Sequence, residues 1–386
     1  MREGWEIKKL DEIISFERGL TYAKGDEVAH SSVGVLRSNN VDLTTQSLNL
    51  DEIKYLREDF EVPEKKKVRK SSLLMCMSNG SKDHLGKVAL IDEDLGYAFG
   101  GFMGLLTPDE TKVVPKYLYY ALASKSFKDY IHSLADGANI NNLKYKDLAA
   151  YDILLLPLAE QQRIVDILDR EFAKIDALKA NAEKSLQAAK DLFQATLKKE
   201  LEPKEGWEDL AIPEVSENLD SKRVPITKSV RENGQYPYYG ASGIVDYVAD
   251  YIFDEPLLLV SEDGANLLAR STPIAFSVEG KVWVNNHSHV LRFDDYKKQK
   301  FVEYWFAGND ISSLITGTAQ PKFNQKALNS IKIAFPVKEQ EMESILKRLD
   351  EMEEKSNALQ ENYHKTLTLC DDLKQSLLRK AFSGEL

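Results

Sequence analysis

The chain has 386 residues, 43% hydrophobic and 29% charged, with a net charge of −11 and a pI near 5.3. That length supplies core for two or three domains, and no apolar run approaches the roughly 20 residues of a membrane span. The polar start, Met1-Arg2-Glu3-Gly4, excludes a signal peptide and sets a cytoplasmic expectation, and two cysteines, Cys76 and Cys370, exclude a disulfide framework or a Cys-based zinc site.

In chain order, the first half opens on Gly4-Trp5-Glu6 and carries a basic run, Lys65-Lys66-Lys67 with Arg69 and Lys70. Apolar runs at 73–77, 87–91 and 152–156 predict strands, and the spacing of Tyr119, Ala123, Phe127 and Tyr130 predicts one helix over 115–130. A Gly-containing polar loop, 136–142, and a short helical turn precede the last of these strands. Pro157-Leu158-Ala159-Glu160-Gln161 then opens a long helical run that closes on Asp191 to Lys199. The second half repeats the plan. Gly206-Trp207-Glu208 is followed by basic groups at Lys222-Arg223 with Lys228 and Arg231, and at Lys297-Lys298 with Lys300. Strands are predicted at 257–260, 282–284 and 331–335, a helix over 301–306, and a polar loop at 317–324. Pro336-Val337-Lys338-Glu339-Gln340 opens a second long run that closes on Asp372 to Lys380.

Each long run carries an apolar stripe. In the first, Val165, Leu168, Phe172, Ile175, Leu186 and Phe193 hold an a/d heptad register that Lys179 interrupts. In the second, Met342, Ile345, Leu349, Met352, Leu359, Tyr363, Leu373 and Leu377 do so, with Ser356 and Thr366 as polar breaks. Helices of about 40 residues are roughly 60 Å long at 1.5 Å per residue, and neither stripe can be hidden by its own helix. Antiparallel pairing of the two is the expected solution. The expected divisions are a globule at 1–157, a helix at 158–201, a globule at 202–336 and a helix at 337–386. The fold class is α+β: two mixed α/β globules, two long helices forming an antiparallel coiled coil, and a pseudo-two-fold internal repeat.

Enzymatic patterns are sparse. His287 and His289 share one face of a predicted strand, which suits a metal pair but brings no third ligand; turn and core hydrogen bonding is the competing use. Glu110-Thr111-Lys112, with Asp94 upstream, imitates the acidic-plus-Lys pattern of a magnesium-dependent nuclease. Phe99-Gly100-Gly101 with Gly104 lacks the strand-turn-helix setting of a cofactor loop. The sequence has no Asn-Pro-Pro-Tyr-like methyltransferase box and no Gly-rich Lys-Ser/Thr phosphate loop. The chain is therefore expected to be no enzyme by itself.

The opener at 157–165, Pro-Leu-Ala-Glu-Gln-Gln-Arg-Ile-Val, and the ending Leu377-Leu378-Arg379-Lys380-Ala381-Phe382-Ser383-Gly384-Glu385-Leu386 resemble those of the DNA specificity subunit of type I restriction-modification systems. The layout resembles it over essentially the whole chain, and Tyr236 to Gly243 and Trp283 to His287 resemble a recurrent recognition domain. The resemblance implies two target recognition domains, each reading half of a split double-stranded DNA site. It also implies helices that set the spacer and dock two modification (methyltransferase) subunits, joined by restriction subunits. Those partners would use S-adenosylmethionine, ATP and magnesium, and this chain would hold no cofactor.

Base edges are read by Asn, Gln, Arg and Lys while basic groups on phosphates fix register. Candidate contacts are therefore Asn139, Asn141, Asn142 and Lys144 in one polar loop and Gln320, Lys322 and Asn324 in the other. A second set is Asn79, Ser81 and Lys82, with Ser261, Asn266 and Arg270 at the matching place in the second half. Asn286 and the basic Lys65 and Lys67 complete the set. Capping and turn formation are the competing uses of the same polar residues. The alternatives to DNA reading are the nuclease and a purely structural coiled-coil scaffold.

Overall fold

The computed structural model describes residues 5–135, 142–317 and 319–386. The chain forms two compact units, one of residues 1–181 with 366–386 and the other of residues 182–365. Both boundaries fall inside long helices, which run Leu158–Glu200 and Glu339–Ser383.

The first unit has three sheets among its described residues. Glu6–Lys9 pairs antiparallel with Asp152–Leu155. An antiparallel sheet follows the order Ile14–Arg18, Met103–Pro108, Leu73–Cys76, Val88–Leu90. The third runs Glu27–Val28, Lys54–Leu56, Val33–Leu36, Ala98–Phe99, its last pair parallel. The single helix expected over 115–130 is two, Pro115–Leu122 and Lys125–Ala135. Ser124 divides them: its hydroxyl donates to the Ala121 carbonyl at 2.7 Å and accepts from the Phe127 amide at 3.4 Å, so it ends one helix and caps the next.

The second unit repeats this plan. Trp207–Ala211 pairs with Lys332–Pro336, as Glu6–Lys9 pairs with Asp152–Leu155, so a strand beginning at or just after the repeated tryptophan zips onto the closing strand in each half. A four-stranded sheet runs Glu217–Asn218, Ser288–Arg292, Leu257–Ser261, Ala275–Val278. Another runs Gly243–Val248, Asn233–Gly240, Lys281–Val284, Phe253–Asp254. The predicted helix is longer than expected, Tyr296–Gly308.

The long helices are part of both cores. In the first unit, Ile164, Val165, Leu168, Leu378 and Ala381 join the globular core, and the segments pair antiparallel through Lys179 to Asp371 at 2.8 Å and Lys374 to Asp176. In the second, Leu197, Leu201, Met342, Ile345 and Leu349 do the same, with Arg348 on Glu200 at 2.6 Å and the Ser356 hydroxyl on the Ala189 carbonyl at 3.4 Å. The first stripe lies as expected, with Ile175 buried and Phe172, Leu186 and Phe193 half-buried.

The second stripe departs from strict heptads. Leu359 and Leu373 are 43% and 49% exposed, and Gln360 and Lys374 take those turns. Polar partners set this register: Gln360 donates to Ser356 Oγ at 3.1 Å, and Lys374 lies 5.3 Å over the Phe172 ring on its way to Asp176. Accordingly, Leu359→Ala should change stability by about 0.5 kcal/mol or less, whereas Leu349→Ala, at a fully buried site, should cost about 2–5 kcal/mol in urea unfolding.

Candidate nucleic-acid interface

The same loop pairing is built twice. In the first unit, the chain leaving Leu73–Cys76 meets the segment before the closing strand: Leu143 N donates to the Met77 carbonyl at 2.7 Å and Asn142 bridges Ser78. In the second, Phe323 N donates to the Glu262 carbonyl at 2.7 Å and Lys322 bridges Asp263. The two sets of polar residues picked from sequence thus converge within each unit.

In the first unit, this junction borders a groove of about 900 Å³ lined by Arg18, Lys24, Arg37, Ser38, Asn39 and Asn79, with Gly100, Gly101 and Phe102 among the remaining walls. Its floor depends on close backbone approach. Leu20 N donates to the Phe99 carbonyl at 2.7 Å, and a Cβ on Gly19 would lie 1.9 Å from the Gly100 oxygen. Asn79 is fixed by donating to Ser38 Oγ at 2.8 Å and accepting from Ser81 N at 3.0 Å. Glu27, the groove's carboxylate, belongs to Lys54 at 2.9 Å, which holds its pKa below the ordinary value, with Arg37 adding to that field. Arg37 Nε is buried with no hydrogen-bond partner among the described residues. By contrast Arg223, Arg231, Arg292 and Arg348 each hold a carboxylate.

In the second unit, a buried ionic cluster braces the junction. His289, 1% exposed, contacts Asp220 Oδ2 through Nδ1 at 2.6 Å and the Phe323 carbonyl through Nε2 at 2.8 Å. Arg223 Nη1 donates to Glu262 at 2.6 Å and to the Ser288 carbonyl at 2.7 Å. Burial opposes ionisation of Asp220, but His289, the Val290 amide and Arg223 outweigh it and hold its pKa below 3.8. His287 pairs with Asp263 instead, at 2.9 Å. The two imidazoles therefore serve separate carboxylates, because only His289 lies within a strand, Ser288–Arg292. Among the described residues, Asp220, Glu262 and His289 are the one trio of side chains close enough to share a cation, and Arg223 already fills that role.

Several expected contacts have structural duties. Ser261 is fully buried and bonds the Ala241 carbonyl, so it cannot meet a base. Asn266 closes a turn with Ser271 and Thr272. Arg270, at φ +50°, donates to the carbonyls of Phe306 at 2.7 Å and Asn309 at 2.9 Å, closing the end of a helix. Asn324 caps Gln325–Ser330 by accepting from Ala327 N at 3.0 Å. Lys67 pairs with Glu64 at 3.0 Å, while Lys65 is exposed. Lys144, Asn142, Ser81, Lys82, Asn286, Gln320 and Lys322 are exposed. Asn286 adjoins His287, whose partner Asp263 is bridged to Lys322, so these lie along one edge. Asn139 and Asn141 lie outside the described residues. The nuclease pattern does not assemble: Lys112 pairs with Asp109 at 3.0 Å, and Asp94 accepts from the Lys70 amide at 2.8 Å.

Sequence reading missed Arg18, which ends a strand, Arg37, which follows another, and Lys24 and Asn39, which lie in short 3-10 turns. The signal available was Gly19 with Gly100-Gly101, residues that permit backbone contact.

The profile of the type I restriction modification DNA specificity domain matches residues 2–188 and again 204–368. The chain belongs to this family. The StySPI specificity subunit of Salmonella potsdam is 24% identical over 437 residues, spanning 100% of this chain and 89% of that protein. The EcoKI specificity subunit of Escherichia coli is 25% identical, with the same coverage. Two solved structures share the fold at 16% identity. One, from work on complex assembly and conformational transition of the type I R-M system, gives a TM-score of 0.80 over 100% of this chain and 99% of that one. The HsdS subunit of Thermoanaerobacter tengcongensis gives 0.56 over 100% and 98%. The chain is a specificity subunit, and nothing in its geometry or kinship supports the nuclease. No helix among the described residues is long and apolar enough to cross a membrane.

Proposed function

We propose that each unit reads one half of an asymmetric, bipartite double-stranded DNA site through its paired loops, and that this chain carries no catalysis of its own. The supporting observation is one junction built twice with unlike side chains: Arg18, Arg37 and Asn79 in the first, and Asn286, Gln320 and Lys322 in the second. Unlike chemistry on like backbones suits two different half-sites. The long helices would set the unread interval and dock two modification subunits in the cytoplasm, with restriction subunits completing the assembly. S-adenosylmethionine, ATP and magnesium belong to those partners. With a net charge of −11, most of the DNA affinity would come from the assembled complex.

Selection from random duplexes, by the full chain mixed with its modification partner at fixed salt, tests this. A split motif is expected, and joint Asn286→Ala and Gln320→Ala substitution should relax only one half by roughly tenfold. A scaffold without DNA preference would select nothing, and that result would overturn the reading.

A further inference from the structure

We infer that Tyr120 and Tyr304 are positioning residues for spacer length: each hydroxyl pins a reading globule to its long helix and so holds the unread interval to one value. This rests on the DNA-reading role proposed above and adds to it the groups that make the interval strict. The pin is built twice. Lys116 and Tyr120 stand four apart on Pro115–Leu122, as Lys300 and Tyr304 do on Tyr296–Gly308, so each pair shares a helix face. Tyr120 donates to Asp169, which Lys116 also holds at 2.8 Å. Tyr304 has two acceptors for its one hydrogen, Asp350 at 2.6 Å and Glu353 at 2.9 Å. Asp169 is the twelfth residue of Leu158–Glu200 and Asp350 the twelfth of Glu339–Ser383, so both pins enter at one depth. Burial, then the facing carboxylates, push both phenols above their ordinary pKa, so both stay donors.

One tie makes a pivot, and two fix an angle. A first tie stands at each helix start. Gln161 accepts from the Val114 amide at 2.8 Å and donates to the Lys112 carbonyl at 2.9 Å, and Lys297 holds both Glu339 and Glu343 at 2.5 Å. The tyrosines add the second tie roughly 10–12 Å further along, at 1.5 Å per residue. The apolar contacts between globule and helix resist separation, but they are non-directional and tolerate rocking. A charge-assisted bond from a buried hydroxyl has a set direction and does not. Successive base pairs stand about 3.4 Å apart, so a globule that rocks on its helix also meets its half-site at the neighbouring spacing.

Duplex selection by the full chain with its modification partner, at fixed salt, reads half-site sequence and spacer length separately. Wild type should enrich a single spacer length. Tyr120→Phe and Tyr304→Phe keep the ring and lose only the hydroxyl. Each should leave both half-motifs unchanged and raise the share of spacers one base pair longer or shorter by roughly tenfold. The carboxylates predict an asymmetry: Asp169→Ala should act like Tyr120→Phe, whereas Asp350→Ala, which leaves Glu353 to accept, should broaden the spacer only together with Glu353→Ala. A spacer distribution as narrow as wild type in both phenylalanine variants overturns the inference. So does weaker binding to every duplex with the distribution unchanged, the mark of a bond that serves stability alone. A wild type that selects no split motif defeats the proposed function itself, a result distinct from either.

Discussion

Replacing His289 with alanine should cost the second unit about 3–5 kcal/mol, the range for removing one partner of a buried ionic network. The ring bridges the Asp220 carboxylate and the Phe323 carbonyl. Truncation leaves the Phe323 carbonyl without its partner, strips the Asp220 carboxylate of one of its donors and opens a cavity beneath the loop that carries Lys322. The measurement is urea unfolding followed by tryptophan fluorescence, since Trp207, Trp283 and Trp305 lie in this unit and Trp5 alone lies in the other. A loss below about 1 kcal/mol would show that the cluster does not brace the junction. The pH dependence has a definite sign. Asp220 has a folded pKa below its ordinary 3.8, so its ionised form adds stability that is present above the unfolded value and disappears as pH falls through the folded one. Acid unfolding of the second unit should therefore include a component below the usual carboxylate range, which moves to higher pH in His289→Ala.

Deleting residues 378–386 should unfold the first unit and leave the second intact. Leu378 and Ala381 are buried in the first core, with Phe382 and Leu386 packed against it, and Phe382 meets Tyr117 edge-on at 5.1 Å. At about 1.5–3 kcal/mol for each large apolar side chain, their removal costs about 5 kcal/mol or more, comparable with the stability of a whole domain. A milder version is Gly384→Ala. Gly384 has φ +83°, and a Cβ there would stand 2.1 Å from the Trp5 ring, so the change should destabilise by about 1–3 kcal/mol. Unfolding in two separated transitions, the earlier one sensed by Trp5, is the expected trace. Unchanged stability of the deletion would mean that the helix end is dispensable.

Much of this fold was legible because its signals are local. The openers at Pro157 and Pro336, the apolar runs and the first helix stripe each announce themselves within a few turns of chain. Ser124 escaped because a buried serine interrupts a helical pattern without disturbing its apolar spacing. Leu359 and Leu373 were misplaced because Ser356 and Lys374 find partners on the opposing helix, which tips a register that apolar count alone cannot fix. The candidate site was harder. Ser261, Arg270 and Asn324 carry the right chemistry but spend it on Ala241, on Phe306 and Asn309, and on Ala327. Arg37 looked ordinary until folding set it among residues up to 66 positions away, ending at Met103.

The helix ends that complete each core also fix a timetable. Residues 366–386 emerge from the ribosome after 182–365, yet they supply part of the interior of the unit that was begun first. The later-started module can thus mature while the earlier one still waits, its apolar face open, for its final strip of chain. Order of synthesis and order of completion are reversed, and a stalled or prematurely released chain would display a finished second reader beside an unfinished first.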